Sequence, residues 1–170
     1  MIAQTPWVER KFNFDFPAGL YPGLLERLAG TPARMEEMVD GLSEEMLVKK
    51  PLNKWSVKEQ IGHLADLDAI HEGRLDDFKA GKEMLRAADM TNAQTNEAHH
   101  NAKPVGQLLH NFRIVRNNFV TQLRTVDEKL LVVTAIHPRL KIPMRLVDMI
   151  YFCCEHDDHH LAKIRYNITI

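Results

Sequence analysis

Apolar residues recur at three- and four-residue spacing in four stretches of the chain, and strand-like alternation is nearly absent. The first stretch runs from about Gly23 to Gly41 and carries Leu24, Leu28, Met35, Met38 and Val39. Gly30 and Pro32 interrupt it, which predicts a kink or a broken start, and Gly41 reads as its terminator. The second has the clearest beginning. Ser56 precedes Val57, Lys58 and Glu59, an N-cap with Glu at the third helical position, and Trp55 is placed to staple the first turn. Its pattern continues through His63, Leu64, Leu67, Ile70, Leu75 and Phe78 to Gly81. The third starts near Pro104, a good first-turn residue, and runs through Leu108, Phe112, Val115, Phe119 and Leu123. The fourth begins near Pro143 and carries Leu146, Val147, Ile150, Cys154, Leu161 and Ile164.

Between the second and third stretches, residues 83–103 are polar and rich in Asn, Thr and His. They read as a long irregular loop with a short helix at most, and loops of this length in compact domains are often functional. Residues 137–142, bounded by Pro138 and Pro143, form a second loop, and Leu130 to Thr134 is the one β-branched run suggestive of a strand. Four amphipathic helices with a long connection predict an all-α protein, an antiparallel four-helix bundle, with residues 1–170 as a single domain. Such bundles place metal sites between facing helices.

Composition narrows the function. With 170 residues, 45% of them apolar, the chain can bury a core without a staple, so a metal site here would serve function rather than hold the fold. A net charge of −1 with both signs interspersed lacks the footprint of a nucleic-acid binder. The two cysteines, Cys153 and Cys154, are neighbours and cannot bridge without a strained ring, which points to a reducing compartment. Residues 1–16 lack the apolar stretch of a signal peptide, and no apolar run reaches membrane-spanning length. A cytoplasmic protein without membrane or nucleic-acid partners is expected. Neither a Gly-rich phosphate loop nor a nucleophile elbow is present.

Histidines supply the chemistry. His156 and His160 are four apart, which stacks two imidazoles on one helix face as ligands for one ion. Met149 and Phe152 lead the same stripe inward and Leu161 and Ile164 resume it, so the pair needs buried partners, which a metal supplies. His159 is also compatible with this spacing. A third ligand must come from another helix. His63, in line with Glu59, Leu67 and Ile70, is the best candidate, although taken alone it reads first as a core histidine. His71, eight residues on, lies about a quarter-turn off that face, and His99, His100, His110 and His137 read as surface residues. Glu59, Asp66 and Glu155 are candidates to accept the second N–H of a ligating imidazole, beside their reading as helix pairs and caps. Cys153 is either a fourth ligand or, more simply, a small buried hydrophobe. Asn96 and His100 in the first loop and Arg139 in the second are candidate substrate contacts, beside their reading as solvated loop residues.

Residues 55–66, from Trp55 through Glu59 and His63 to Asp66, resemble the helix-two motif of the DinB/YfiT-like family. Residues 155–164, with His156, His159 and His160, resemble its C-terminal histidine motif, and residues 27–34 resemble its first helix. The resemblance implies an antiparallel four-helix bundle and a three-histidine centre for nickel or zinc, whose ligands map onto His63, His156 and His160 and set His159 aside. Many relatives carry Glu where this chain has Asp68. The resemblance also implies a homodimer, and a family that includes thiol-dependent transferases and isomerases and metal-dependent hydrolases.

Three protein ligands leave coordination positions open, as in catalytic rather than closed structural sites. Such an ion can deprotonate a thiol or activate water. The expected function is therefore that of a metal-dependent enzyme activating a low-molecular-weight thiol for S-transfer to a small-molecule substrate. The alternatives are a hydrolase using metal-activated water and a non-catalytic metal-binding stress-response protein.

Overall fold

The expected break at Gly30 and Pro32 divides the first helical stretch of the computed structural model, which describes residues 3–169 apart from the Asn53 side chain. It yields α1 (Tyr21–Ala29) and α2 (Thr31–Val39). The short α3 (Glu44–Val48) follows, then α4 (Val57–Lys79), α5 (Ala93–Glu97), α6 (Val105–Arg124) and α7 (Leu146–Thr169). At the start of α4 the capping box is complete: Glu59 N–H donates to Ser56 Oγ at 3.2 Å, and Ser56 N–H donates to Glu59 Oε2 at 2.9 Å.

Two boundaries differ from expectation. Residues Pro143–Arg145 are not the first turn of the last helix but the strand β2, paired antiparallel with β1 (Thr134–Ile136). The helix begins at Leu146 because the Asp148 carboxylate accepts the Arg145 N–H at 2.8 Å, capping the chain where it leaves the strand. The run from Leu130 is also displaced. Residues Glu128–Val132 form a 3-10 turn, and the strand starts two residues beyond it.

The α1–α2 unit, α4, α6 and α7 form a four-helix bundle. Contacts fix their directions. His63 on α4 lies against His160 on α7, and Asp68 lies nearer to Asp157, so these two helices are antiparallel. Tyr21 reaches the Leu123 carbonyl while Leu28 meets Arg116, so α1 and α6 are antiparallel as well. Asp68 pairs with Arg116 and His71 packs on Phe119, so α4 and α6 run parallel. A parallel neighbour cannot be reached by a short turn. The long polar segment before α6 provides the return path, and it touches β1 on the way through a Met84–Ile136 bridge.

The core is split by a buried charge. Arg116 is wholly buried. Its Nε and Nη2 donate to Asp68 at 3.0 and 3.1 Å, its Nη2 donates to Asp157 at 3.1 Å, and its Nη1 donates to Asp157 and to the Leu28 carbonyl. That carbonyl is free because its helical partner would be residue 32, and Pro32 has no N–H. Thr31 donates to Asp157 at 2.7 Å, and the Phe112 ring lies 4.8 Å from the guanidinium carbon. On one side of this knot lie Leu24, Leu75, Phe78, Phe119 and Ile150, and on the other Met35, Ile61, Leu64, Phe112 and Ile164. Before α1, the chain lies along α7. Trp7 and Phe12 each pack 4.9 Å from Phe152, Gln4 donates to the His159 carbonyl at 3.0 Å, and Arg10 pairs with Glu155. No helix among the described residues is long and apolar enough to cross a membrane.

The knot gives a sharp mutational contrast. Arg116→Met leaves two buried carboxylates without a counter-charge and is expected to cost about 3–5 kcal/mol in urea unfolding. Arg113→Met, which removes an exposed pair with Glu36, should cost less than about 1 kcal/mol.

Candidate metal centre

The bundle brings His63 from α4 and His156 and His160 from α7 together at the edge of the knot. Their ligand nitrogens all lie within 4.8 Å of one another, and all three side chains are buried. On α7, Asp157 faces Arg116, which turns its neighbour His156 toward α4. His156 and His160, one turn apart, face each other with their Nε2 atoms 3.1 Å apart.

Hydrogen bonds on the far side of two rings decide which nitrogen is free. Gln60 Nε2 donates to the Trp55 carbonyl, which presents Gln60 Oε1 to His160 Nδ1. His160 Nδ1 therefore carries the proton, and Nε2 is left as a lone pair directed at the centre. Thr95 donates its hydroxyl to Asp66 at 2.9 Å, so it accepts from His63 Nδ1 at 3.1 Å. The Nε2 of His63 is left free in the same way. His156 differs: its Nδ1 is buried without a partner. Two tryptophans enclose the group. Trp55 packs 4.5 Å from His63, and Trp7 packs 4.8 Å from His156.

Burial holds these rings neutral, the form in which imidazole binds a metal. It lowers the His63 pKa to about 3 against the opposing pull of Asp66. Burial and the neighbouring imidazoles push His156 and His160 well below the ordinary value. Around them, burial pushes the Asp66 carboxyl up, but its hydrogen bonds from His100 and Thr95 leave it below the usual carboxylate range. The donor set fits a divalent ion: three buried, neutral nitrogens, two with lone pairs fixed inward by outer hydrogen bonds.

Of the carboxylates expected to support the histidines, Asp66 does so through Thr95 and also accepts from His100 at 3.0 Å. Glu59 is occupied by the cap of α4 and by Lys50, and Glu155 by Arg10 and Arg27, so neither reaches a ligand ring. His159 stands outside the group, its ring 5.6 Å from Trp7. Cys153 and Cys154 are buried, and burial raises both thiols, in keeping with small hydrophobes.

Two readings as surface residues fail: His100 is buried against Asp66, and His137 inside the β1–β2 loop. His71 is buried against Asp68. His99 and His110 are exposed. His100, though buried, lines a cleft between α4 and α6 together with Asp66. Its ring lies flat over Gly62, where a Cβ would come within 2.4 Å of it, which explains the glycine beside His63. Asn96 is exposed and accepts from the Trp55 indole at 3.0 Å, and Arg139 lies over Trp7. Gln60, Thr95 and Trp7 complete the centre without having been singled out.

Two clefts approach this region. The larger, about 370 Å³, lies between α4 and α6 beyond Asp66 and His100 and touches no ligand histidine. The smaller, about 60 Å³, opens on His63 between Leu67, Ile70, Asn92 and Thr95, and it is the one that bears on the centre.

The sequence profile of the DinB superfamily matches residues 27–164, a span containing all three histidines but not Trp7. The structure resembles that of YfiT from Bacillus subtilis, described as "a probable metal-dependent hydrolase with an unusual four-helix bundle topology", with a TM-score of 0.76 and 20% identity. The likeness covers 94% of this chain and 91% of that one. No functionally curated protein matches the chain significantly.

The lowered histidine pKa values set a pH dependence for the metal-free protein. Below about pH 6.5 the unfolded chain takes up protons on histidines that the folded chain keeps neutral. The unfolded state then binds more protons, so stability falls with falling pH. His159, lowered to about 4, extends this loss to about pH 4, and His63 and His137, each lowered to about 3, extend it to about pH 3. Urea midpoints of metal-free protein should therefore decline steadily from pH 6.5 to pH 4, and His63→Gln should flatten the decline.

Proposed function

The chain belongs to the DinB superfamily, and from that premise we propose that it is an enzyme whose divalent ion, nickel or zinc, rests on His63, His156 and His160 and activates a low-molecular-weight thiol for S-transfer. The observation that carries the proposal is the convergence of three buried, neutral imidazoles, two of them with tautomers fixed so that Nε2 points inward. Bound there, the ion would supply Lewis acidity, lowering the pKa of a thiol or water at its open positions.

The chain's own residues have distinct parts in this reading. Gln60 and Thr95 hold the ligand rings in orientation. Asp66, through Thr95, makes His63 a stronger donor. Trp7 and Trp55 keep bulk water from the ligand rings. The thiol reading is supported by the engagement of the carboxylates that flank the histidines on α4 and α7. Glu59, Glu155 and Asp157 are tied up in caps and ion pairs, and Asp66 is held by two donors. A thiol made acidic by an ion needs no separate general base, whereas expulsion of an amine or alkoxide benefits from a positioned acid. A second reading, metal-dependent hydrolysis, is favoured by the description given to YfiT.

Elemental analysis of purified protein should find about one first-row divalent ion per chain, and His160→Ala should lose it. Thr95→Val and Gln60→Leu should retain the fold and weaken metal affinity about 10–100-fold. Turnover should be followed with a panel of thiols and electrophiles beside a panel of esters and amides. Metal-dependent loss of free thiol supports S-transfer. Ester or amide cleavage without thiol supports hydrolysis. Protein that takes up no divalent ion on titration contradicts both.

A further inference from the structure

Across Phe152 from the histidine centre, the structure gathers hydrogen-bond donors with no acceptor for them. His137 is 1% exposed, and its Nδ1 accepts the backbone N–H groups of Arg139 at 3.3 Å and Leu140 at 3.1 Å. A neutral ring with an accepting Nδ1 carries its proton on Nε2, and that buried N–H has no partner. Arg139 spans the rings of Trp7 and Phe152, at 5.7 and 5.6 Å; its Nη1 donates to the Val8 carbonyl at 3.5 Å, and its Nη2 is buried without a partner. Arg74, buried on α4, makes one hydrogen bond, from Nε to the Arg86 carbonyl at 3.1 Å. The charges of both arginines bear on His137. Among the described residues neither arginine has an ion pair. Asp77, the carboxylate whose charge acts on Arg74, is already held by the Arg86 side chain and N–H.

The contrast with Arg116 is informative. That cation is buried against two carboxylates, whereas Arg74 and Arg139 are gathered with an unpaired imidazole N–H and no anion. A buried donor without an acceptor destabilises the folded chain, and a ligand that brings acceptors recovers that loss. Guanidinium forks suit a planar carboxylate, and a third N–H helps to fill its lone-pair sites. The surrounding rings of Trp7 and Phe152 suit an apolar body. They also lead to the histidines: Trp7 touches His156, and Phe152 precedes it by one turn on α7. Arg74 lies eleven residues after His63 on α4, on the same face and three turns away.

We infer that Arg74, Arg139 and His137 form a receptor for the carboxylate of a small organic acid, which is the substrate end remote from the metal. The second half of that statement rests on the metal-enzyme reading, and the receptor itself does not.

Calorimetric titration of the full chain with sodium benzoate, benzamide, acetate and inorganic phosphate tests it. Saturable benzoate binding is expected, with benzamide at least tenfold weaker because it lacks the charge. Arg139→Met should weaken benzoate at least tenfold with an unchanged circular dichroism spectrum, and Arg139→Lys should fall between. Arg74→Lys, which keeps the charge and loses the fork, provides the second variant. Absence of saturable benzoate binding, equal binding by Arg139→Met, or tighter binding of phosphate than of benzoate overturns the proposal. The His160→Ala variant separates the two readings. Benzoate binding retained without metal supports the receptor on its own, and a wild-type chain that binds benzoate but takes up no metal overturns only the metal reading.

Discussion

A single buried cation sets the register of this bundle. The Arg116 guanidinium can remain in a dry core only if both carboxylates and the Leu28 carbonyl meet it at the right height, and these come from three other helices. Sliding α4 or α7 by one turn would leave a charge unpaired, a penalty that apolar packing alone does not impose. The kink at Pro32 is part of the same arrangement, since it frees the carbonyl that completes the set. The apolar clusters above and below the knot supply the burial, and the knot decides how the helices are aligned while they do so.

The three-histidine cluster inherits that alignment. Asp157 is committed to Arg116, and its neighbours on α7 are turned accordingly: His156 toward α4, with His160 stacked beside it one turn on. On α4, Asp68 is fixed by the same cation while His63, more than a turn away, faces the gap between the two helices. Gln60, Thr95 and Asp66 then orient the rings. The ligand nitrogens are thus held by two layers of constraint, one ionic and shared by the whole bundle, the other a set of local hydrogen bonds. A seam that brings its donors together in this way is preorganised for an ion before one arrives.

What the sequence makes legible follows the range of the interactions. The capping box at Ser56, the break at Gly30 and Pro32 and the four-residue spacing of His156 and His160 are encoded within a turn or two, and they can be read from a short stretch of chain. His63 could be placed beside the pair only through resemblance, because nothing in its own helix says what faces it. Arg116 shows the limit more clearly. Between Val115 and Asn117 it reads as an ordinary polar position on an amphipathic helix, and its burial depends on carboxylates 48 residues before and 41 after it. The misreading of His100 and His137 as surface residues has the same origin: each is buried by a carboxylate or loop backbone that is defined only once the chain has folded back. The start of the last helix was missed for a more local reason, a side-chain cap that competes with the helical reading of Pro143.

The parallel course of α4 and α6 bears on the order in which the molecule can assemble. Contacts to Arg116 join positions 41, 48 and 88 residues apart, so few of them reward the chain early, and loop closure must precede them. A chain emerging from the ribosome has made α1, α4 and α6 before α7 exists. At that stage Arg116 has Asp68 but lacks Asp157, and His63 has neither of its companions. The last helix therefore brings the second counter-charge of the core and two of the three candidate ligands in the same event. A nascent chain has no assembled histidine cluster, and an ion taken up there would report that folding is complete.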